Sequence, residues 1–394
     1  MSNGVAPELA GKFTRDLQPV RDIPGDKEKQ PQPGMALCLS GGGYRAMVFH
    51  LGAIWRLNEA GLMRKLKRIS SVSGGSITSG MLGLQWKNLT FNANDVATNL
   101  VATVIDPVLK LASHTLDLFT IVEGILSPFK SVADEVADGY RSHLFGHATL
   151  QDLPSDNEGP RFVINSTNIQ TRSLWRFSKP FMGDWRVGLI RNPKLDLAVA
   201  VGASSAFPPV LSPVELKLHQ EDFDKTTAGT LFMPPYTTDV ILADGGVFDN
   251  LGLETAWKNY QTILVSDGGT TTPPEPHPHK DWALHSYRIL MLLYNQVGSL
   301  RKRSVIGSFE TNLRKGAYWG ITTDIKNYGL ADSVPCPFDH TTALAGTPTR
   351  LAALGDVLKQ RLVNWGYAAC DAALRRHVDP TLAPPKALPY PVGV

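Results

Sequence analysis

Cysteine is scarce in this chain of 394 residues: Cys38, Cys336 and Cys370 are the whole supply, and they stand far apart. An odd, scattered set builds no disulfide framework, so stability has to come from packing and a reducing compartment is expected. Charge of one sign is lacking too. Lys and Arg number 39 against 36 Asp and Glu, a net charge of +3. With no basic stripe interleaved with aromatics, nucleic acid is excluded as a substrate. Long apolar runs are missing. The longest, such as Ile289 to Tyr294, fall far short of the roughly 20 residues that span a bilayer. The N-terminal stretch holds Lys12 and Arg15 but no apolar segment of the kind a secretory leader needs. A cytoplasmic protein, soluble or peripheral at membranes, is expected. His277 and His279 sit in a proline-rich loop, a setting for solvated side chains, so neither a metal nor a cofactor is expected.

What the chain does have is 43% hydrophobic residues, enough for a large core, and one dense stretch from Leu37 to Gly83. It opens on an apolar strand-like run that ends in Gly41-Gly42-Gly43. From Ala46, the apolar residues Val48, Leu51, Ile54, Trp55 and Leu57 recur at helical spacing, and Gly61 supplies a stop. Arg68 to Val72 returns as a strand and delivers Ser73 ahead of Gly74-Gly75. A strand, helix and strand in that order make a parallel unit whose two loops open at one edge of the sheet. Backbone N–H donors and a serine hydroxyl then stand side by side, the arrangement that acyl transfer to serine requires. Small residues flank Ser73 because bulk there would strike the neighbouring backbone, although Ser71 takes the place of the first glycine of G-x-S-x-G.

These residues resemble the patatin-like phospholipase family, which shares a catalytic core with the cytosolic phospholipases A2. The oxyanion-loop pattern reads Gly41-Gly42-Gly43-Tyr44-Arg45-Ala46. A second segment reads Gly202-Ala203-Ser204-Ser205-Ala206-Phe207-Pro208-Pro209, and a third reads Asp244-Gly245-Gly246-Val247-Phe248-Asp249-Asn250. The resemblance runs over residues 35 to 270. It implies a three-layer α/β fold, with a mostly parallel central sheet flanked by helices and carrying a helical insertion. It also implies a Ser–Asp dyad, with Ser73 as nucleophile and Asp244 as base, and the N–H groups of Gly41, Gly42 and Gly43 as the oxyanion hole. Arg45, Gly74, Gly75, Gly245 and Gly246 would support them. A carboxylate must be buried to become basic enough for this work, and the apolar run Val240-Ile241-Leu242-Ala243 before Asp244 fits that need. A second Asp-Gly-Gly, at Asp267, follows an equally apolar run, and it competes with Asp244 on local sequence.

Other readings fit less. Gly41-x-Gly43-x-x-Ala46 also fits a dinucleotide fingerprint, but the next strand ends without the acidic residue that would hold a ribose. Ser73 as a mere helix cap leaves the glycine triplet unexplained. Arg45 either attracts a substrate phosphate or holds the loop by bonding carbonyls, and His50 reads as a packed histidine. A hydrolase with a Ser–His–Asp triad would draw on His285, His340 or His377, and a silent binding scaffold would use no dyad at all.

The expected organisation is a polar extended arm over residues 1–34 and a catalytic core over 35–270. A helical insertion at 92–147 would serve as a lid, and a mainly helical region, 271–394, would pack on the core. The expected activity is hydrolysis of fatty acyl esters of glycerophospholipids presented at a membrane surface, through an acyl-enzyme. Nothing in the sequence identifies an activator.

Overall fold

The computed structural model describes residues 31–116, 132–209 and 211–394. Among them the chain forms one 11-stranded sheet. Its strands are β1 (Gln32–Leu39), β2 (Leu66–Val72), β3 (Arg161–Asn168), β4 (Ser173–Phe177), β5 (Phe181–Asp184), β6 (Gly188–Arg191), β7 (Val214–Lys217), β8 (Phe223–Asp224), β9 (Asp239–Asp244), β10 (Tyr260–Asp267) and β11 (Lys315–Gly320). Five run parallel, in the order β11-β10-β1-β2-β3. From β3 outward the pairing is antiparallel through β4, β5, β6 and β8, and β9 with β7 also joins β3 antiparallel.

The central strand shows why the molecule is layered. Successive side chains of a strand leave on opposite faces, and β1 divides its apolar residues accordingly. Leu37 and Leu39 enter a core with the helices α1 (Gly43–Glu59), α2 (Gly74–Gln85) and α3 (Leu197–Ser204). Ala36 and Cys38 enter a second core on the other face, with Ala256 and Val305. Val305 belongs to α4 (Trp282–Glu310), and the first core is closed by α5 (Asp356–His377). A strand buried on both faces reads as an unbroken apolar run, as β1 does.

Helices α1 and α5 touch backbone to backbone. A Cβ on Gly52 would stand 1.9 Å from the Val363 carbonyl oxygen, and one on Gly366 would stand 1.8 Å from that of Phe49. Glycine at both positions lets the helices approach that closely. A buried ion pair fastens the same contact: Arg56 Nε meets Asp371 Oδ1 at 2.8 Å, and Arg375 Nε meets Oδ2 at 3.0 Å.

Residues 1–30 of the arm expected over 1–34 lie outside the described residues, and Gln32 already belongs to β1. Within the 92–147 segment, residues 117–131 lie outside them as well. The described apolar side chains on either side, Val104, Ile105, Val108, Leu111 and Tyr140, are buried in the main core. Residues 271–394 hold α4 and α5 but also contribute β11 to the sheet. No helix of the described residues is long and apolar enough to cross a membrane.

Candidate active site

The strand ends explain how residues far apart in sequence converge. One edge of β3 is taken by β4, from Ile164 to Asn168. Two strands share the other edge. β2 pairs with its first part, ending with Val72 opposite Asn165, and β9 comes in from the opposite direction, ending with Asp244 opposite Ser166. The two strands run head to head along β3, and Ser73 and Asp244 stand where they meet.

Ser73 adopts φ 52° and ψ −123°, a sparsely populated conformation for any residue but glycine. Such strain turns the chain sharply from β2 into α2 and leaves the side chain at the apex. Close packing holds the turn there. A Cβ on Gly74 would stand 2.2 Å from the Gly43 carbonyl oxygen, one on Gly75 would stand 2.5 Å from that of Leu39, and one on Gly41 would stand 3.1 Å from Ser73 Cβ. The glycine loop and the serine turn are therefore in direct contact. The Ser73 N–H donates to Ser204 Oγ at 3.0 Å, and Ser204 Oγ donates in turn to the Asn165 carbonyl at 2.7 Å.

Asp244 is buried at the end of β9. Its N–H donates to the Ala206 carbonyl at 2.8 Å, and the Gly245 N–H donates to the Ser204 carbonyl at 3.3 Å. The segment Ser204–Ala206 thus holds both halves of the pair. The family resemblance marks this segment in the sequence without giving it a role. The cue was two serines between small residues ahead of a proline pair.

Burial pushes the Asp244 carboxyl up to about 7, while the Gly246 N–H and the Ser73 hydroxyl pull in the other direction by favouring the ionised form. Oδ1 accepts from the Gly246 N–H at 2.6 Å. Oδ2 is buried without a complete hydrogen bond, so the Ser73 hydroxyl acts on the carboxylate from interaction range, short of full hydrogen-bond geometry. Such a carboxyl is near half-ionised at neutral pH, with Oδ2 left to accept. A Cβ on Gly245 would stand 2.3 Å from the Asn165 carbonyl oxygen, which is why the residue after the aspartate is glycine.

The glycine loop narrows one expectation. The Gly41 N–H donates to the Asn250 carbonyl at 3.0 Å and is already occupied. Gly42 and Gly43 have φ values of 142° and 61°, and their N–H groups have no acceptor among the described residues. They are the donors left for an oxyanion. Asn250, which closes the Asp-Gly-Gly motif, also packs its side-chain amide against Gly41, Gly246 and Gly269, a role the motif alone does not show.

The remaining candidates have other occupations. Arg45 is buried, with Nε donating to the Gly268 carbonyl at 3.2 Å and Nη1 donating to the carbonyls of Ala345 and Thr347. Burial lowers its pKa to about 10, against the pull of Asp267 and Tyr294. It ties the glycine loop to the segment before α5. Asp267 accepts from the Tyr318 hydroxyl at 2.6 Å and from the Gly269 N–H at 2.9 Å, and it meets Lys302 at 3.4 Å. Its lone pairs are spent on holding β10 against β11. His50 bonds Ser266 Oγ at 2.8 Å and the Ser40 carbonyl at 3.0 Å, and burial drops its pKa to about 4. His285 bonds the His279 carbonyl, His340 bonds the Val394 carbonyl, and His377 stacks edge-on to Tyr328. No histidine is among the groups acting on Asp244.

A sequence profile of the family described as patatin-like phospholipase matches residues 37–257, more than half of the chain. No curated protein sequence matches it. Among solved structures, the chain is similar to human GIVD cytosolic phospholipase A2 in complex with methyl gamma-linolenyl fluorophosphonate, at 14% identity and a TM-score of 0.49, over 92% of this chain and 60% of that one. It is also similar to VipD from Legionella pneumophila, at 17% identity and a TM-score of 0.34, over 93% of this chain and 73% of that one. A third is full-length ExoU of Pseudomonas aeruginosa in complex with SpcU, at 16% identity and a TM-score of 0.26, over 91% of this chain and 82% of that one. The chain spans 60% of the length of the human phospholipase.

Proposed function

This chain belongs to the patatin-like phospholipase family, whose three-layer α/β fold it has, and from that premise we propose that it is a serine acyl hydrolase acting on glycerophospholipids. The observation that carries the reading is the meeting of Ser73 with Asp244, a buried carboxyl whose pKa is pushed up to about 7. In the mechanism, Asp244 takes the proton from Ser73 Oγ as the oxygen attacks the ester carbonyl. The tetrahedral oxyanion is held by the N–H groups of Gly42 and Gly43, and each such donor is worth about 2.7–4 kcal/mol in the transition state. The protonated carboxyl then gives its proton to the departing alcohol and leaves an acyl group on Ser73. Water then attacks the acyl carbonyl as Asp244 takes its proton, and the carboxyl passes that proton to Ser73 Oγ as its bond to the acyl carbon breaks and the fatty acid leaves. Each carboxyl role is the reverse of the other, so one residue with a near-neutral pKa serves both.

Labelling by a fluorophosphonate tests the assignment. Ser73→Ala should abolish labelling and ester hydrolysis in a protein that stays folded by circular dichroism. Labelling that persists on another serine would sink the nucleophile. The single alanine variants of His285, His340 and His377 should keep most activity, and a folded but inactive one would move the protein to the triad class.

A further inference from the structure

The helix α4 faces two ways. Its inward side is fastened beside the site: Tyr294 meets Phe207 edge-on at 5.7 Å, and its hydroxyl would lie 2.8 Å from a Cβ on Gly246, two residues after Asp244. Further along, Arg301 donates to the Phe248 carbonyl at 3.1 Å and meets Asp249 at 3.6 Å. The outward side carries Trp282, Ile289, Leu293 and Leu300, positions separated by 7, 4 and 7 residues and so on one stripe of a helix. Trp282 is 84% exposed, Leu293 55% and Leu300 52%. The stripe is about 27 Å long at 1.5 Å per residue. Contiguous apolar surface of this kind marks an interaction site.

We infer that this outward face of α4 is a docking surface for a lipid bilayer carrying anionic headgroups, set beside the mouth of the Ser73–Asp244 site. The inference rests on the lipid-hydrolase reading given above. Charge chooses the occupant. From Trp282 to Phe309 the helix has no Asp or Glu. Lys280 before it and Arg303 within it are exposed and have no ion-pair partner among the described residues. Asp281, between Lys280 and the helix, caps it by accepting from the Leu284 N–H at 2.9 Å, and its other oxygen lies 3.7 Å from His279. From Lys280 to Glu310 the segment carries five Lys and Arg against Asp281 and Glu310, so two copies packed stripe to stripe would set one net-basic segment against another. Anionic headgroups answer this net positive charge while the stripe enters the acyl region, the habit of a helix that lies in the membrane interface.

The test uses the full chain with Ser73→Ala, so that lipid is not consumed, in cosedimentation with vesicles of phosphatidylcholine with or without phosphatidylserine. The Ser73→Ala protein should bind the anionic vesicles at least tenfold more tightly than the neutral ones. Adding Leu293→Glu and Leu300→Glu should abolish that binding. In the wild-type background the same two substitutions should leave fluorophosphonate labelling and hydrolysis of a short soluble ester unchanged. Equal vesicle binding with and without the two glutamates overturns the inference, as does a concentration-dependent dimer, lost in the double variant, in a protein that ignores vesicles. Labelling that fails in the wild type overturns the hydrolase reading instead, and the two failures stay distinct.

Discussion

At the scale of single residues, Asp244 is the costly one. Its carboxyl ordinarily titrates near 3.8, and burial pushes it up to about 7 in the folded chain. Between those values the folded state holds a proton that the unfolded state has released, so stability falls as pH rises through that window. The cost above pH 7 is on the order of 4 kcal/mol. Asp244→Asn removes it. Above pH 7 the variant should unfold at higher denaturant concentration than the parent, a gain that shrinks toward pH 4, while its hydrolytic rate falls by roughly 10²–10⁴-fold. The parent's rate should climb with pH and level off above about 7, because only the ionised carboxylate accepts the Ser73 proton. A flat profile across pH 5 to 8 would remove Asp244 from the base role. Ser204 makes a quieter contribution by taking the Ser73 N–H and passing a bond on to Asn165. Ser204→Ala leaves that N–H without its acceptor, and fluorophosphonate labelling of Ser73 should slow roughly tenfold with the fold intact.

Among the elements, the crossing of α1 with α5 depends on the lack of two side chains. Gly366→Ala would place a carbon 1.8 Å from a carbonyl oxygen, and the helices would have to part. Overpacking of this sort costs about 1–3 kcal/mol. Gly307→Ala in α4 meets nothing within 4 Å and should be neutral or stabilising by up to about 1 kcal/mol, since alanine suits a helix interior better. Urea unfolding of the two variants side by side checks the pair of expectations. Local elements of this kind were readable in the sequence. The periodicity from Ala46 to Leu57 corresponds to α1, and Arg68–Val72 to most of β2. Helix α5 starts only at Asp356, because residues 346–354 are used to meet the glycine loop through Thr347 and Arg350.

For the whole molecule, what escaped the sequence was long-range. Nothing local in Asp239–Asp244 says that β9 pairs antiparallel with β3 while β2 pairs parallel, because strand partners are chosen by contacts distant in the chain. The same holds for Gly41, whose N–H looked free until the Asn250 carbonyl was brought to it. The repeating apolar residues of α4 have the spacing that the packed face of a helix would have. Their outward exposure depends on where the strands on either side place the helix, and no residue within it records that. Motifs in chain order survived because each sits where a strand or a helix ends, and there local turn chemistry and global topology make the same demand.

The head-to-head meeting of β2 and β9 also bears on how this chain is made. Ser73 and its strained turn emerge from the ribosome early, but Asp244 follows 171 residues later. At typical elongation speeds the gap is on the order of ten seconds or more. Throughout that time the nascent chain carries a serine without its base, inert toward any bilayer nearby. Competence arrives in one step, when β9 slots in against the edge of β3. Stalled chains ending before Asp239 should therefore take no fluorophosphonate, while chains released after β11 should take it fully. A site of this kind would in this way stay inert until residue 244 of the 394 has been synthesised.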